Sequence, residues 1–388
     1  MLVPRSSFRN RLLDKIRKIG YIRGLDSKQK SAILKALSEK PTQLPGTHIV
    51  STRKIQRATI TDVARLAGVS ISTVSRVLND TAPVADETGQ RVRSAVQMLN
   101  FTPHAAARTL AVRKTDTVGL LLPAMGNSFF VPTLRGIESA VREAGLDLLI
   151  FSGTTKSRRR EWHQPLGEHN TDGLIVFSDQ MDVRELAGLF ERGFPVVLLH
   201  RSSPVGLQIP SVRFDNRSGV RRIVTHLIEA HGRRRIVFLR GPEGNEDSFW
   251  REAAYRETLE VHGIPFDPAL VAEGKFTDAD GENAINGLLA DGIVFDAVFS
   301  GDDEAAAGVT MALRRASLNV PNDVSVVGFD DVPMSRHLNP PLTTIRAPIE
   351  TASYLAARQL VRLIRSEEAD ATTVLPVEMV VRQSCGCP

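Results

Sequence analysis

The helix predicted over residues 71–78, with Asn79 directly after it, carries side chains whose types and spacing suit the reading of DNA bases. Val74, Val77 and Leu78 have the spacing of a buried helix face. The opposite face then presents five side chains: Ile71, Ser72, Ser75, Arg76 and Asn79. An Arg side chain can donate two hydrogen bonds to a guanine, Ser and Asn can bond phosphates or base edges, and Ile can contact a thymine methyl group. The alternative is a small three-helix domain with a solvated face.

Three predicted helices would position this face. The segment TITDVARLAGVS (59–70) favours a first helix with Thr61 as its N-cap. The apolar face of that helix is predicted to be Val63, Ala64, Leu66 and Ala67. Gly68 supplies the positive φ of a sharp stop, and Ser70 can cap the second helix. With a third helix predicted from about residue 86, the pattern indicates a helix-turn-helix unit.

The segment NFTPHAAARTLAVRKT (100–115) follows this unit. Pro103 can begin a helix at its first turn, but residues 104–111 span only about two turns and would not be stable alone in water. Leu110 has no core within its own segment and is surrounded by basic residues. Two interpretations stay open: an ordinary interdomain linker, or a segment that folds only against a partner and inserts Leu110 into a minor-groove step.

From residue 117 onward, predicted strands and helices alternate in two successive series. The run TVGLLLP (117–123) is continuously apolar, which is typical of a strand buried in a parallel sheet. We therefore expect two doubly wound α/β lobes. In such lobes, ligands bind where the carboxyl ends of the strands face a crevice.

The loops at those predicted strand ends carry carboxylates, amides, aromatic rings and one Arg. Polar groups of these types suit the hydroxyls of a sugar, and an aromatic ring can cover the apolar face of a sugar ring. The candidate ligand-binding residues are Asn127, Phe129, Phe130, Ser178, Asp215, Arg251, Phe276 and Asp303. Each of them singly could be a helix cap or a solvated loop residue. Asp303, which precedes an Ala-rich helix, could be an N-cap.

No strong catalytic or cofactor motif stands in the sequence, which lacks a P-loop, H-E-x-x-H, G-x-S-x-G and G-x-G-x-x-G. The pair Asp330–Asp331 could supply acid/base groups or metal ligands, but we favour a turn with hydrogen-bonded carboxylates. Cys385 and Cys387 alone supply too few ligands for a zinc site, and we predict a solvated tail there. We therefore expect no catalytic residues, no cofactor and no metal site.

The net charge of +5 over 388 residues hides an uneven distribution. Residues 1–57 hold 14 Lys and Arg against 3 Asp and Glu, whereas residues 58–115 carry +3 and residues 116–388 carry −9. The basic extension, 1–57, is predicted to be poorly ordered; it either contacts a polyanion or an anionic membrane, or has no role. The longest apolar stretches have strand length, so we expect no transmembrane segment, and no secretory signal is recognised.

Residues 58–388 resemble the LacI/GalR family of bacterial transcription regulators. TITDVARLAGVSISTVSRVLN (59–79) is similar to the DNA-binding signature of that family, NFTPHAAARTL (100–110) to its hinge, and SVVGFDD (325–331) with PPLTTI (340–345) to its C-terminal signature. The resemblance implies an all-α helix-turn-helix domain (58–102), a hinge (103–115) and an α/β two-lobed core like that of periplasmic binding proteins (116–388). Lobe one would comprise about 116–214 and 346–370, and lobe two about 215–345 and 371–388.

The resemblance also implies a function. The chain would be a cytoplasmic, nucleoid-associated repressor that reads a pseudo-palindromic DNA operator as a homodimer or higher oligomer, under the control of a small sugar-like effector. The implied DNA-binding residues are Thr59, Ile60, Ser70, Ile71, Ser72, Thr73, Ser75, Arg76, Asn79, His104, Ala107, Arg108 and Leu110. Arg251 and Asp303 would clamp the effector, and Phe276 would stack on its ring.

Two other classes of protein share part of this pattern. A periplasmic-type sugar receptor would have the same two-lobed core, and a sugar-processing enzyme would turn its ligand over. The predicted helix-turn-helix and the absence of a recognisable export signal argue against the receptor, and no set of residues predicts turnover. Retention by operator DNA distinguishes the regulator from both.

Overall fold

The computed structural model describes residues 58–79, 82–101, 114–153 and 165–388. The chain divides into two compact units between residues 102 and 103. The basic extension and four predicted DNA-binding residues, His104, Ala107, Arg108 and Leu110, lie outside the described residues, as does the side chain of Asn79.

Three short helices form the described part of the first unit. Their bounds are α1, Ile60–Ala67; α2, Ile71–Asn79; and α3, Asp86–Met98. The N-cap of helix α1 lies two residues before the predicted cap. Thr59, not Thr61, is its N-cap, because the Asp62 N–H donates to the Thr59 hydroxyl (3.3 Å) and the Thr59 N–H donates to the Asp62 carboxylate (3.0 Å). Gly68 ends α1 with a φ of 64°.

The three helices enclose a small apolar core. Val63, Val74 and Val92, one from each helix, are fully buried at its centre, and the predicted inward residues of α2 pack against them. Leu66 departs from the predicted apolar face of α1, since half of its surface is exposed. Alanines and Val63 already fill the α1 side of the core. The helix-turn-helix unit is confirmed, with a narrower buried stripe than the sequence predicted.

The second unit contains two six-stranded sheets. The first sheet is entirely parallel, and its strands in spatial order are β11 (Thr372–Leu375), β5 (Ser211–Phe214), β4 (Val196–Leu199), β3 (Gly173–Phe177), β1 (Thr117–Leu122) and β2 (Asp147–Ser152). Its helices are α4 (Phe130–Glu143), α5 (Val183–Glu191) and α10 (Ile349–Ile364). The predicted buried strand at 117–123 is confirmed, since Val118–Leu122 has no exposed residue.

The second sheet forms lobe two. Its strands in spatial order are β12 (Glu378–Val380), β10 (Thr343–Arg346), β9 (Ser325–Asp330), β8 (Ala297–Ser300), β6 (Ile236–Arg240) and β7 (Val271–Glu273). Only β12 is antiparallel to its neighbour. Its helices are α6 (Asn216–Glu229), α7 (Glu246–Val261), α8 (Asp278–Ala290) and α9 (Asp303–Arg315). Among the described residues, no helix is long and apolar enough to cross a membrane.

The chain crosses between the lobes three times. Two of the crossovers lie after β5 and after β10. The third lies between β11 and β12, so residues 372–375 belong to lobe one and the predicted start of the last segment at 371 is wrong. Strand β11 pairs with the edge of β5, where Ser211 and Asp215 donate their N–H groups to residues 371 and 375. This pairing satisfies backbone groups that an unpaired β5 would leave open.

The C-terminal residues are packed rather than solvated, which corrects the predicted tail. Cys385 has no exposed surface, and the Ser325 hydroxyl donates to its carbonyl (2.8 Å). The Ser384 hydroxyl donates to the carbonyl of Val326 (2.6 Å). These bonds hold the end of the chain against the amino-terminal end of β9.

Candidate functional site

Helix α2 exposes most of the side chains that the sequence predicts for DNA readout. Ser72, Arg76 and Ile71 are exposed, and 48% of the Ile71 surface is accessible although the residue is apolar. Ser70 caps α2 by accepting the Thr73 N–H (3.2 Å), and its hydroxyl lies 2.8 Å from those of Ser72 and Thr73. Ser75 is half-buried. The exposed face is therefore polar and basic with one apolar contact point, as direct readout requires.

The predicted residues at the start of α1 have mainly a structural role in this geometry. Thr59 closes the capping box, and Ile60 packs against the core of the unit. Their contribution to a DNA complex would be to place the first backbone N–H groups of α1, which suit a phosphate. Their assignment as DNA-binding residues remains a prediction.

A cavity of about 450 Å³ lies between the two lobes of the second unit, at the carboxyl ends of the parallel strands. Its volume lies within the usual range for small-molecule sites. Six of the eight predicted effector residues line it: Asn127, Phe129, Phe130, Ser178, Arg251 and Phe276. The sequence set omitted several polar residues of the wall: Asp179, Asn245, Asp247, Lys275, Thr277, Asp278, Asp302, Glu304 and Asp330.

Two predicted effector residues do not line the cavity. Asp215 caps α6 by accepting the Ser218 N–H (3.1 Å). Asp303 is buried beneath the wall, where its carboxylate accepts the Val332 N–H (3.0 Å) and the hydroxyls of Ser335 and Thr344. The wall position belongs to Asp302, the N-cap of α9. A helix start displaced by one residue thus decides which carboxylate faces the cavity.

Arg251, on α7, is the central polar group of the site. It is 2% exposed, and its guanidinium lies 3.7 Å from the centre of the Phe329 ring. It donates from Nε to the Asn216 amide oxygen (2.9 Å) and from another nitrogen to the Gly301 carbonyl. Its third nitrogen lies 3.5 Å from Asp330. These contacts fix the planar group, which a flexible ammonium could not match.

The Asp330–Asp331 pair divides between two environments. Asp331 accepts from Arg346 (2.8 Å) and Arg382, as a hydrogen-bonded turn carboxylate should. Asp330 ends β9 with a φ of 110°, lines the cavity and faces Arg251. Its position at the end of a predicted strand was the sequence signal that could have placed Asp330 in the cavity wall. The sequence pattern favoured a hydrogen-bonded turn for both carboxylates, which is right for Asp331 and wrong for Asp330.

Buried carboxylates give the lobe-two wall unusual electrostatics. Burial raises the pKa of Asp302 and of Asp303 to about 7 each, against hydrogen bonds that favour their charged forms. Burial also raises the pKa of Asp330 well above its ordinary value, although Arg251 opposes this. Asp247 behaves differently: burial disfavours its charged form, but His200 and then Arg251 outweigh burial, and the pKa falls. Near pH 7 the Asp302 carboxyl in this wall is therefore partly protonated, and its protonated form can donate a hydrogen bond.

The raised pKa of Asp302 predicts a pH-dependent stability. Below about pH 4 the carboxyl is protonated in both folded and unfolded chains; between about 4 and 7 the folded chain keeps a proton that the unfolded chain releases. The contribution of Asp302 to the free energy of unfolding is therefore fully present below about pH 4 and is lost as the pH rises through about 7. We expect Asp302→Asn, which cannot ionise, to gain unfolding free energy relative to the wild type between pH 4.5 and 7.5, by about 3 kcal/mol. Urea unfolding of both proteins at pH 4.5 and at pH 7.5 tests this. The same difference in unfolding free energy between variant and wild type at the two pH values would contradict it.

Phe276 forms a flat part of the cavity wall beside Arg251. A Cβ at Gly241 would lie 2.2 Å from its ring, so only glycine at that position leaves room for it. The ring centre lies 5.8 Å from the Arg251 guanidinium. Ser178, Lys275, Phe276 and Asp330 all line the cavity with positive φ angles. Backbone conformations of this kind are costly for non-glycine residues and concentrate at ligand sites.

Hydrogen bonds across the cleft connect the two lobes around the cavity. Glu304 accepts both the N–H and the hydroxyl of Ser128 at 2.7 Å. Asn245 donates to the Ser178 hydroxyl (3.1 Å), and Asn127 donates to the Phe276 carbonyl (3.4 Å). The buried side-chain oxygen of Asn127 accepts no hydrogen bond from the described residues, so it can receive one from a ligand hydroxyl.

Each of the two units contains a region that matches a known protein family. Residues 59–104 match the family of bacterial regulatory proteins, lacI family. Residues 224–385 match the family of periplasmic binding protein-like domains. The transcriptional regulator GalR of Escherichia coli is 34% identical over 333 residues, which cover 85% of this chain and 96% of GalR. The regulator CelR of Thermobifida fusca is 33% identical over 338 residues, which cover 85% of this chain and 98% of CelR.

Solved structures share the same architecture. A complex of the transcriptional regulator CelR with cellobiose is 32% identical with a TM-score of 0.62, covering 84% of this chain and all of the other. The lac repressor dimer bound to operator and an anti-inducer is 27% identical with a TM-score of 0.70, covering 85% of this chain and 99% of the other. With relatives above 30% identity along nearly their whole length, this chain belongs to the lacI family of bacterial regulatory proteins and is a DNA-binding transcription regulator with an effector-binding core.

Proposed function

We propose that this regulator is a repressor whose affinity for its operator is set by a sugar-like effector that binds between the lobes and contacts Arg251 and Phe276. The observation that carries the proposal is the buried guanidinium of Arg251 at the wall of an interlobe cavity, with an aromatic ring beside it. A sugar presents hydroxyls at its edge and an apolar face, and this wall offers partners for both.

Relatives with bound sugars support this ligand class. CelR was solved with cellobiose, and a lacI-family regulator from Enterococcus faecium that is 26% identical was solved with ribose. The cavity of about 450 Å³ and its carboxyl-rich lobe-two wall suit such polyhydroxylated molecules. The cavity binds the effector without transforming it in this proposal, as expected of a regulatory family.

The contacts across the cleft offer a route from ligand to DNA. An effector in the cavity competes with or reinforces the bonds of Glu304 to Ser128 and of Asn245 to Ser178, and so changes the relative position of the lobes. Lobe one begins directly after the hinge (103–115). In our proposal, that movement alters the spacing of two hinges in a dimer, each of which inserts Leu110 into the minor groove with support from His104, Ala107 and Arg108.

Helix α2 is the reading element in this proposal. Ile71, Ser72 and Arg76 contact bases in the major groove, with Thr73, Ser75 and Asn79 assisting on phosphates or bases. Two copies bind a pseudo-palindromic site in the cytoplasm. The edge strand β2 supports a homodimer, because Leu149 and Ile150 on it are 40% and 38% exposed and would be covered by a second copy.

Selection of duplex DNA from a random pool tests the DNA-binding half of the proposal. The full chain should enrich one pseudo-palindromic site, and its affinity should fall steeply with salt, as several phosphate contacts require. The receptor alternative predicts no enrichment. Binding of all sequences with equal affinity would contradict specific readout.

A further inference from the structure

Four potential metal ligands converge at the end of lobe two that lies away from the cavity. His226 is in the last turn of α6, His231 follows that helix, and Cys385 and Cys387 lie within the last four residues of the chain. One ligand atom from each of these residues lies within 4.8 Å of the other three. The cluster lies near Ser325, the first residue of β9, whereas the cavity lies at Asp330, the last.

The distances match a tetrahedral zinc site. The Nε2 atoms of His226 and His231 are 3.1 Å apart, and the Cys387 sulfur lies 3.5 Å from each of them. A tetrahedron built with Zn–N of about 2.0–2.1 Å and Zn–S of about 2.3 Å has ligand–ligand edges of about 3.3–3.8 Å. Three of the ligands therefore already have nearly the required spacing, and the buried sulfur of Cys385 completes the set.

The local backbone is built to bring these groups together. Gly386 has a φ of 115°, and a Cβ there would lie 2.9 Å from the His231 ring. Only glycine between the two cysteines therefore allows the imidazole to approach the turn. Hydrogen bonds from the hydroxyls of Ser325 and Thr343 fix Cys385, one to its carbonyl and one to its sulfur (3.1 Å). The cluster is thus held by its surroundings rather than by chance contact of mobile ends.

We propose that His226, His231, Cys385 and Cys387 form a structural zinc site that fastens the C-terminus to α6. Two thiolates balance the charge of a divalent cation, and a closed set of two sulfur and two nitrogen ligands is the usual composition of a structural zinc centre. The expectation of no metal site rested on the C-G-C segment alone. The two missing ligands come from residues more than 150 positions earlier in the sequence. The site would stabilise lobe two and has no part in effector chemistry.

Metal loading of the untagged full chain under reducing conditions tests this proposal. Apoprotein prepared with a chelator should bind one Co²⁺ per chain with the thiolate charge-transfer and tetrahedral d–d absorption bands, and one Zn²⁺ should displace it. Zn²⁺ should also raise the melting temperature, because it binds the folded chain. Cys387→Ser and His231→Asn should weaken zinc binding by more than about 100-fold, beyond the usual cost of losing an outer-shell partner.

His337→Asn is the matched control, since His337 is exposed in the same lobe and outside the cluster. It should bind zinc like the wild type. The circular dichroism spectrum of each apo variant shows whether it folds, so that lost binding is not mistaken for lost structure. The proposal is overturned if the folded wild type takes up no stoichiometric Co²⁺ or Zn²⁺, or if Cys387→Ser and His231→Asn bind them as tightly as the wild type.

Discussion

Arg251→Lys should remove most of the response to effector while leaving operator binding intact. Lysine keeps a positive charge near Asp247, whose charged form Arg251 favours, so that buried carboxylate is not left uncompensated. It loses the rigid fork that bonds Asn216 and the Gly301 carbonyl and stacks on Phe329. A charge-assisted hydrogen bond is worth about 1.5–3 kcal/mol, so effector affinity should fall by about 10- to 100-fold.

Calorimetry with the effector and fluorescence anisotropy with labelled operator measure the two affinities separately. Arg256→Lys is the matched control: it lies on the same helix, is half exposed and pairs with Glu252, outside the cavity wall. It should bind effector like the wild type. An undiminished effector affinity in Arg251→Lys would remove Arg251 from the binding site. Equal loss of operator affinity would indicate a general folding defect instead.

Arg76→Ala should weaken operator binding and relax sequence preference. A bidentate contact from Arg to guanine discriminates by about 1–3 kcal/mol, and a dimer makes it twice. We therefore expect affinity for the selected operator to fall by roughly 10-fold or more per half-site, with a smaller loss on unrelated DNA. Anisotropy titrations on the selected operator and on a scrambled duplex measure both effects.

Arg91→Ala controls for the loss of one positive charge. Arg91 is exposed on α3, in the same unit, and its side chain donates to Thr88 of the same helix. This variant should keep the preference for the operator over the scrambled duplex. If Arg76→Ala keeps it too, α2 does not read bases through this residue.

The sequence predicted the helix-turn-helix and the cavity because both depend on local pattern. Helical spacing of Val74, Val77 and Leu78 was enough to expose Ile71 and Arg76 on the opposite face of α2. Parallel strands end at one edge, so polar residues that follow them come together whatever the details of packing. Phe276 follows β7 in this way, whereas Arg251 lies within α7 and was expected in the site from the resemblance to the family.

Two kinds of feature could not be predicted from the sequence: those that depend on the exact residue at which a helix starts, and those that depend on contacts between segments far apart in the chain. Asp302 rather than Asp303 faces the cavity because α9 starts at Asp303, and helix ends are uncertain by a residue or two from sequence. Strand β11 is four residues long with alternating exposure, and only its pairing with β5 shows which lobe holds it. The His–Cys cluster likewise needs two segments far apart in sequence.

The most direct test of effector-controlled DNA binding is an anisotropy titration of the wild-type chain on its selected operator. Saccharides that calorimetry shows to bind the chain, from a panel including cellobiose and ribose, are added at saturating concentration. At least one should change operator affinity by about 5- to 150-fold, the usual range of allosteric coupling, and operator should change the affinity for that sugar by the same factor. Sugars that bind the cavity with no change in operator affinity would contradict the account.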